Sequence, residues 1–417
     1  MMLRTPILPL ALVLALGLPA ALSSGRASDW SSWRGPARDG QSPETGWSHD
    51  WPSEGPRILW KDGVGTGFSS MVIADGRLYT MGWQNDEDLV FCLNAVTGAT
   101  NWIARYAQPL GNKMYEGGPN STPLVVGSRV YTASKTGLVH AFDTASGNVV
   151  WKTSLKDAVG APLSDWGVSG APVLADARTL LVNYGPHGVA LDPETGAVRW
   201  NSGRKKDMSF AAPVVTALGG KPAALFFMSE ALVAVDPATG TELWRSSFGK
   251  GFRTHCSDPL VAGDRVFISS GDDGGELLEI RQSGAKRVWK NANLSTFTGT
   301  AVLVGQYLYG LDTAGYKGPE QELRCVDLAT GTVKWGEKGF GQGSLIAAGD
   351  RLIVQGDKGE ISVVRASPER FELLARCQPI GGKCWTTPAL SDGRLYVRNA
   401  RGDLACLDLN PAGSPGR

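Results

Sequence analysis

Charged side chains that could take part in acid–base chemistry stand in short segments that precede hydrophobic runs. Glu116 and Asp258 are carboxylates that could serve as a general base, and Arg253 and Lys383 could stabilise a developing negative charge. The other interpretation is that these charges only solvate the ends of loops. The sequence contains no nucleophile elbow, phosphate-binding loop or zinc motif that would identify a reaction.

Aromatic and polar residues recur in the same segments. If the segments converge in the fold, these residues would suit a small polar ligand or a peptide loop of an envelope protein. The candidates for ligand binding are Phe68, Tyr115, Glu116, Asn120, Trp166, Phe210, Arg253, His255 and Trp385. The alternative is that they are ordinary loop ends and form no pocket.

The histidines and cysteines do not have the spacing of metal ligands, so we predict no metal site. Cys92, Cys325 and Cys406 occupy one repeated position, where a small buried apolar residue is expected. Cys377 and Cys384 are the close pair, and the sequence leaves open whether they form a disulfide.

The N-terminus and the charge balance indicate where the protein works. Residues 1–27 combine Arg4 with an apolar stretch and small residues, as in a secretion signal, and an uncleaved membrane anchor is the rival interpretation. Lys and Arg total 41 against 40 acidic residues, which gives no electrostatic reason to expect nucleic acid or an anionic membrane as partner. We expect a periplasmic or secreted monomer with no membrane span after signal cleavage and no lipid-modified cysteine.

A repeated motif organises the rest of the chain. It consists of Asp or Asn, two residues, Thr or Ser, Gly, and a Trp on the strand that follows, as in Asp192 to Trp200. The Asp caps a turn, the Gly supplies a positive φ, and the Trp can pack between neighbouring sheets. The glycines stand 44 to 49 residues apart, which is the length of a four-stranded propeller blade. We assign blade packing to Trp60, Trp102, Trp151, Trp200, Trp244, Trp289 and Trp335.

Counting this motif together with the hairpins upstream of it predicts an all-β propeller with eight four-stranded antiparallel blades. The last unit lacks a fourth strand, and residues 57–61 form a strand with no unit before it. We therefore predict that the N-terminal strand closes the ring and that Trp60 takes the Trp position of blade eight. The predicted organisation is a signal peptide (1–27), an N-terminal extension (28–55), the propeller (56–410) and a C-terminal tail (411–417). Trp33-Arg-Gly-Pro36 in the extension is interpreted as a plug against the ring or as a partner-docking segment.

The motif resembles the docking signature of the pyrroloquinoline-quinone-like (PQQ-like) repeat proteins, A-x-D-x-x-T-G-x-x-x-W, at Ala190 to Trp200 and Ala234 to Trp244. Residues 115–123 and 382–385 look like exported bacterial members that have no assigned reaction. The superfamily includes quinoprotein alcohol dehydrogenases and the BamB-like assembly propeller of the outer membrane.

The resemblance implies two different functions. A non-catalytic binding or assembly module of the periplasm or cell envelope is the first, and a PQQ-dependent oxidoreductase of an alcohol or sugar, with Ca²⁺, is the alternative. The dehydrogenases typically carry adjacent cysteines and a calcium site, and this chain has no adjacent cysteines. The assembly propeller is usually a lipoprotein, and no acylated cysteine is expected here. We favour the binding module.

Overall fold

The computed structural model describes residues 29–112, 115–207, 209–249, 254–313 and 321–411. The predicted signal peptide, the candidate Arg253 and the end of the predicted C-terminal tail lie outside the described residues. Among the described residues, no helix has the length and apolar character needed to cross a bilayer.

The described chain folds into eight sheets of four antiparallel strands, one of which gains Gln41–Ser42 as a fifth, parallel strand, and the prediction of an eight-bladed propeller is confirmed. It begins with β1 (Gln41–Ser42) and β2 (Ile58–Gly63). Blade one contains β3 (Val72–Ala74), β4 (Arg77–Gln84), β5 (Glu87–Asn94) and β6 (Thr100–Ala107), and blade two contains β7 (Leu124–Val126), β8 (Arg129–Ala133), β9 (Leu138–Asp143) and β10 (Val149–Ser154). Blade three contains β11 (Val173–Asp176), β12 (Thr179–Val182), β13 (Val189–Leu191) and β14 (Val198–Asn201), and blade four contains β15 (Val214–Leu218), β16 (Lys221–Phe227), β17 (Ala231–Val235) and β18 (Glu242–Ser247). A short helix, α1 (Leu155–Val159), follows β10.

The second half of the ring repeats the arrangement. Blade five contains β19 (Leu260–Ala262), β20 (Arg265–Ser270), β21 (Gly274–Arg281) and β22 (Gly284–Asn291), and blade six contains β23 (Val302–Val304), β24 (Tyr307–Asp312), β25 (Glu322–Asp327) and β26 (Val333–Lys338). Blade seven contains β27 (Ser344–Ala348), β28 (Arg351–Gln355), β29 (Ile361–Arg365) and β30 (Leu373–Cys377). Blade eight contains β31 (Ala389–Ser391), β32 (Arg394–Arg398) and β33 (Asp403–Asp408), with β2 as its fourth strand. The first strands of neighbouring blades contact one another, as β3 does with β7 and with β31, so these strands line the centre of the ring.

Each element of the repeat has a physical role at the seam between two blades. In blade three, the Asp192 carboxylate accepts hydrogen bonds from the backbone N–H groups of Glu194 and Thr195, which forms the turn. Gly196 then adopts φ +72°, and a Cβ at this position would lie 2.4 Å from the indole of Trp151 in the preceding blade. The glycine therefore satisfies the turn and also lets the neighbouring tryptophan pack directly on the backbone.

The tryptophans of the repeat connect the blades through their indole N–H groups as well as through packing. Each indole donates to a backbone carbonyl in the outer turn of the next blade, at 2.7–3.1 Å. The donors are Trp60, Trp102, Trp151, Trp200, Trp244, Trp289 and Trp335. Because the aromatic ring is desolvated and its polar atom is satisfied, each seam gains stability from both contacts.

The N-terminal strand closes the ring, as predicted. β2 pairs antiparallel with β33, with Trp60 opposite Cys406, and the Arg57 guanidinium contacts the Asp408 carboxylate at 2.6 Å. The Trp60 indole donates to the carbonyl of Ala95 in blade one. The two ends of the propeller are thus joined within blade eight, and blade eight is packed against blade one like any other pair.

The seam between blades seven and eight lacks a tryptophan of the repeat, because β30 carries none. The N-terminal extension supplies a substitute that the repeat did not indicate. Trp47 is 3% exposed and packs in the same apolar cluster as Ile353 and Cys377 of blade seven and Leu409 of blade eight. The extension therefore contributes to the propeller core.

Candidate functional site

The segments that lead into the inner strands lie together at one end of the ring, which we call the mouth. Backbone hydrogen bonds join neighbouring segments there. The N–H of Phe68 donates to the carbonyl of Pro119, and the N–H of Phe210 donates to the carbonyl of His255. The predicted site segments of adjacent blades are thus held in contact by the fold.

Three aromatic rings from blades eight, one and two form the centre of a cluster at the mouth. The ring centroid of Phe68 lies 5.5 Å from that of Tyr115 and 5.6 Å from that of Trp385. All three side chains are half-buried. The structure therefore brings together three aromatic residues that are far apart in the sequence.

An ion pair lies beside these rings. The Lys383 ammonium contacts the Glu116 carboxylate at 2.9 Å, and both side chains are about one-third exposed, at 32% and 35%. Lys383 also lies 4.5 Å from the ring centroid of Trp385, in a cation–π contact. The pair joins the segment of blade two to that of blade eight across blade one. The candidate base and the candidate charge stabiliser neutralise each other here.

Lys135 holds the Tyr115 side of the cluster in place. Its ammonium donates to the Tyr115 hydroxyl and to the carbonyl of Gly111, both at 2.6 Å, and lies 4.6 Å from the Tyr115 ring centroid. Burial lowers the pKa of Lys135 to about 8, although the nearby Asp88 carboxylate opposes this shift. Burial also raises the pKa of Tyr115. The amide of Asn120 donates to the Tyr115 hydroxyl and to Ser169. Lys135 is not among the sequence candidates.

We call Phe68, Tyr115, Glu116, Asn120, Lys135, Lys383 and Trp385 the mouth cluster. Trp166 and Phe210 form a second aromatic pair at blades three and four, with ring centroids 5.9 Å apart. An open cleft of about 680 Å³ lies outside the cluster, at the seam of blades seven and eight; its lining includes Lys61, Gly381 and Asp403. None of the sequence candidates lines this cleft.

His255 does not line the mouth as the sequence analysis expected. Its imidazole is 1% exposed, stacks on Phe227 at 4.1 Å between ring centroids, and places Nδ1 2.7 Å from the carbonyl oxygen of Met228. Burial lowers its pKa to about 4, so the ring is neutral at physiological pH. His255 therefore packs inside the protein, between blades four and five.

Asp258 is buried and is bound on both carboxylate oxygens. One oxygen accepts a hydrogen bond from the backbone N–H of Ala212 at 2.7 Å, and the other accepts one from the Trp33 indole at 2.6 Å. Desolvation raises the pKa of Asp258, and the nearby Arg34 guanidinium opposes that shift. Asp258 and Glu116 thus have separate partners, and the carboxylate of Asp258 binds the N-terminal extension.

The N-terminal extension crosses the centre of the ring. The N–H of Ile73 in blade one donates to the carbonyl of Trp30, while Trp33 reaches Asp258 before blade five's first strand. The Arg34 guanidinium donates to the carbonyl of Ala301 in blade six at 2.6 Å. These contacts agree with the plug interpretation of residues 33–36.

The described residues contain no group of three or more His, Cys, Asp or Glu side chains that could hold a metal ion. The six cysteines are free thiols, including Cys377 and Cys384, whose pairing the sequence left open. Burial raises the pKa of both of these thiols to about 12.

Comparison with known proteins identifies the family. The sequence profile of the family described as outer membrane protein assembly factor BamB matches residues 112–337, more than half of the chain. BamB of Bordetella pertussis is 23% identical over 316 residues, which cover 68% of this chain and 76% of that protein.

Two solved structures show the same fold at low sequence identity. BamB from Moraxella catarrhalis has a TM-score of 0.62 at 15% identity, covering 85% of this chain and 99% of that chain. Quinohemoprotein alcohol dehydrogenase from Comamonas testosteroni has a TM-score of 0.68 at 14% identity, covering 94% of this chain and 82% of that chain. With the profile match and the eight blades, seven of whose seams are joined by a tryptophan of the repeat, these findings show that the chain is a PQQ-like propeller that belongs to the BamB family.

Proposed function

We propose that this chain is a non-catalytic, protein-binding propeller of the cell envelope that takes part in the assembly of outer membrane proteins. The observation that carries the proposal is the family match over residues 112–337, since that family and the Bordetella pertussis relative are both named as outer membrane protein assembly factor BamB. A rigid ring that presents half-exposed loops suits a binding role, because its contact surface is organised before a partner arrives.

We propose the mouth cluster as a contact surface for the partner. Tyr and Trp side chains that are half-buried and flanked by charged groups are typical of the residues that dominate the binding energy of protein interfaces. In the mouth cluster, Phe68, Tyr115 and Trp385 supply the apolar area, and the Glu116–Lys383 pair supplies polar groups at its edge. An exposed ion pair of this kind contributes little to folding, so its groups are free to exchange partners.

We also propose that the chain works in the periplasm as a monomer. The support is the signal-like sequence of residues 1–27, together with the envelope role in the names of the relatives. Fractionation of cells that express the full chain should recover it with periplasmic markers, shortened at the N-terminus. Recovery of the uncleaved chain in the cytoplasm would contradict this placement.

The residues present do not fit a bound quinone and calcium ion of the kind that the dehydrogenases hold. The six cysteines are free thiols, and none is adjacent to another in the sequence. Asp258, a carboxylate beside the centre of the ring, is bound by Trp33 and by the N–H of Ala212. Arg34 and Trp33 occupy the centre of the ring beside it.

Site-specific crosslinking in cells tests the proposed contact surface. A photo-crosslinking amino acid at Gly381, which has open space beside its Cα and precedes Lys383 by two residues, should capture one envelope protein. The matched control is the same amino acid at Val149, which is 53% exposed on β10. The capture at position 381 should fall when Trp385→Ala is added. The proposal would be contradicted if positions 381 and 149 captured the protein equally, or if Trp385→Ala left the capture at position 381 unchanged.

Added quinone gives the complementary test. The purified chain mixed with PQQ and Ca²⁺ should retain no quinone absorbance after gel filtration. Retained quinone with dye reduction in the presence of an alcohol or sugar would overturn the assignment as a binding module.

A further inference from the structure

Residues 30–42, which we call the strap, lie against the inner strands of the ring as a bound peptide would. At one end, the N–H of Ile73 in β3 donates to the carbonyl of Trp30 at 2.9 Å, and the N–H of Val125 in β7 donates to the carbonyl of Ser31. At the other end, β1 pairs in parallel with β27. Inner strands have a free edge toward the centre of the ring, and the strap adds backbone hydrogen bonds to that edge. This is how extended peptides bind to sheets.

Three residues of the strap fit their surroundings in a way that depends on the residue type. The Trp33 indole donates to the Asp258 carboxylate, and Arg34 is 3% exposed with its guanidinium donating to the carbonyl of Ala301. Gly35 has φ +87°, and a Cβ there would lie 2.9 Å from the ring of Trp30. The ring therefore recognises the indole N–H of Trp33, the guanidinium of Arg34 and the missing side chain of Gly35.

The carboxylate of Asp258 is more than the propeller itself requires. Residues at the start of the inner strands link neighbouring blades by accepting a backbone N–H, and a hydroxyl is sufficient for this. Thr122 accepts from the N–H of Ser70, and Thr300 accepts from the N–H of Asp258. Asp258 accepts in the same way from Ala212, and its second oxygen is used for Trp33. That second oxygen serves the strap and not the ring.

We propose that the centre of the ring is a peptide-binding site for segments of the type Trp-Arg-Gly, and that the strap occupies it in cis. This goes beyond the proposed contact surface at the mouth, since it uses different residues. The site takes a peptide with an indole donor for Asp258, a guanidinium for the carbonyl of Ala301, and a glycine that lets the chain turn beneath Trp30.

The test uses the full-length chain and a labelled synthetic peptide with the sequence of residues 29–42. In the native chain, the tethered strap has an effective concentration of about 1 mM, so peptide should displace it only near that concentration. Trp33→Phe removes the indole donor from the strap and leaves the site intact. A hydrogen bond to a charged group is worth about tenfold to hundredfold in binding, so half-displacement of the Trp33→Phe strap should need about 10–100 µM peptide.

Two matched controls identify the contact. Adding Asp258→Thr to Trp33→Phe removes the acceptor while keeping a hydroxyl of the kind that Thr300 provides, and it should weaken peptide binding at least tenfold. A peptide that carries Phe in place of its second tryptophan should bind the Trp33→Phe chain at least tenfold more weakly than the native peptide.

Hydrogen exchange of the same chains measures whether the strap stays bound to the ring. Amide protection in the strap should fall about tenfold or more in Trp33→Phe, and in Asp258→Thr alone, while protection of β20 and β28 is unchanged. Native protection of the strap in both variants would overturn the proposal. Loss of protection without peptide binding up to 1 mM would overturn it as well. Neither result depends on a partner at the mouth, so the proposal can fail while the proposed function stands.

Discussion

Truncating Trp60 tests whether the closing seam is built like the others. The Trp60 indole is 9% exposed, donates to the carbonyl of Ala95 at 3.1 Å, and lies 6.0 Å from the ring centroid of Tyr396. Gly98 of blade one packs on the indole so closely that a Cβ there would lie 2.8 Å away. The contacts with Ala95 and Gly98 join blade eight to blade one, and Tyr396 supports the indole from within blade eight.

Trp151 offers a matched control inside the ring. It is 8% exposed, donates to the carbonyl of Pro193 at 2.8 Å, and lies 6.0 Å from the ring centroid of Tyr131. In both places a tyrosine hydroxyl also donates to the carbonyl that the indole contacts, from Tyr396 and from Tyr131. The carbonyl therefore keeps a partner after truncation, and the lost energy comes mainly from the removed ring.

Removing a buried aromatic ring costs about 3–5 kcal/mol, so Trp60→Ala and Trp151→Ala should each lower the free energy of unfolding by about 4 kcal/mol. Urea unfolding followed by far-ultraviolet circular dichroism measures both, and the two losses should agree within about 1 kcal/mol. A loss below about 1 kcal/mol for Trp60→Ala, beside the full loss for Trp151→Ala, would refute closure of the ring through Trp60.

Three further predictions concern charged groups. Burial raises the pKa of Asp88 to about 7, so the folded state holds a proton that the unfolded chain releases near pH 4. The free energy of unfolding should therefore fall as pH rises from about 4 to 7. Urea titrations at several pH values should show that Asp88→Asn removes this pH dependence. Arg398 is buried and donates five hydrogen bonds, to Gly65, Gly67, Ser69, Met81 and Thr80. Arg398→Met should lower the free energy of unfolding by at least about 3 kcal/mol in the same assay, and an unchanged free energy would contradict this structural role. Lys383→Met breaks an ion pair with both side chains about one-third exposed, so it should change unfolding by less than about 1 kcal/mol, and a larger loss would show a folding role instead.

The sequence predicts the ring well because the repeat acts through short-range contacts that recur. The Asp caps a turn within its own blade, as Asp192 does, and the Gly and Trp meet across one seam, as Gly196 and Trp151 do. Because the spacing recurs around the chain, the same packing is expected at every seam whose outer strand carries the tryptophan. The unpaired strand at Trp60 then predicts closure, which the pairing of β2 with β33 confirms.

The cluster at the mouth and the strap could be predicted only in part, because they depend on which loops meet across the ring. Nothing in the sequence near Lys135 indicates that its ammonium binds the Tyr115 hydroxyl, 20 residues away. His255 stands in a loop-like segment of the sequence, yet its imidazole stacks on the ring of Phe227 and is buried between two blades. Asp258 has the sequence signature of a loop carboxylate, and its partner Trp33 lies 225 residues earlier.

The most direct test of the protein-binding account is the affinity of the purified chain for the envelope protein that crosslinking at position 381 captures. Trp385→Ala removes an aromatic ring from the mouth cluster and should weaken binding at least tenfold, because aromatic residues of this kind dominate interface energies. Val149→Ala on the outer strand of blade two should leave the affinity unchanged. Equal affinities of the native chain and Trp385→Ala, with both folded, would contradict the assignment of the mouth as the binding surface.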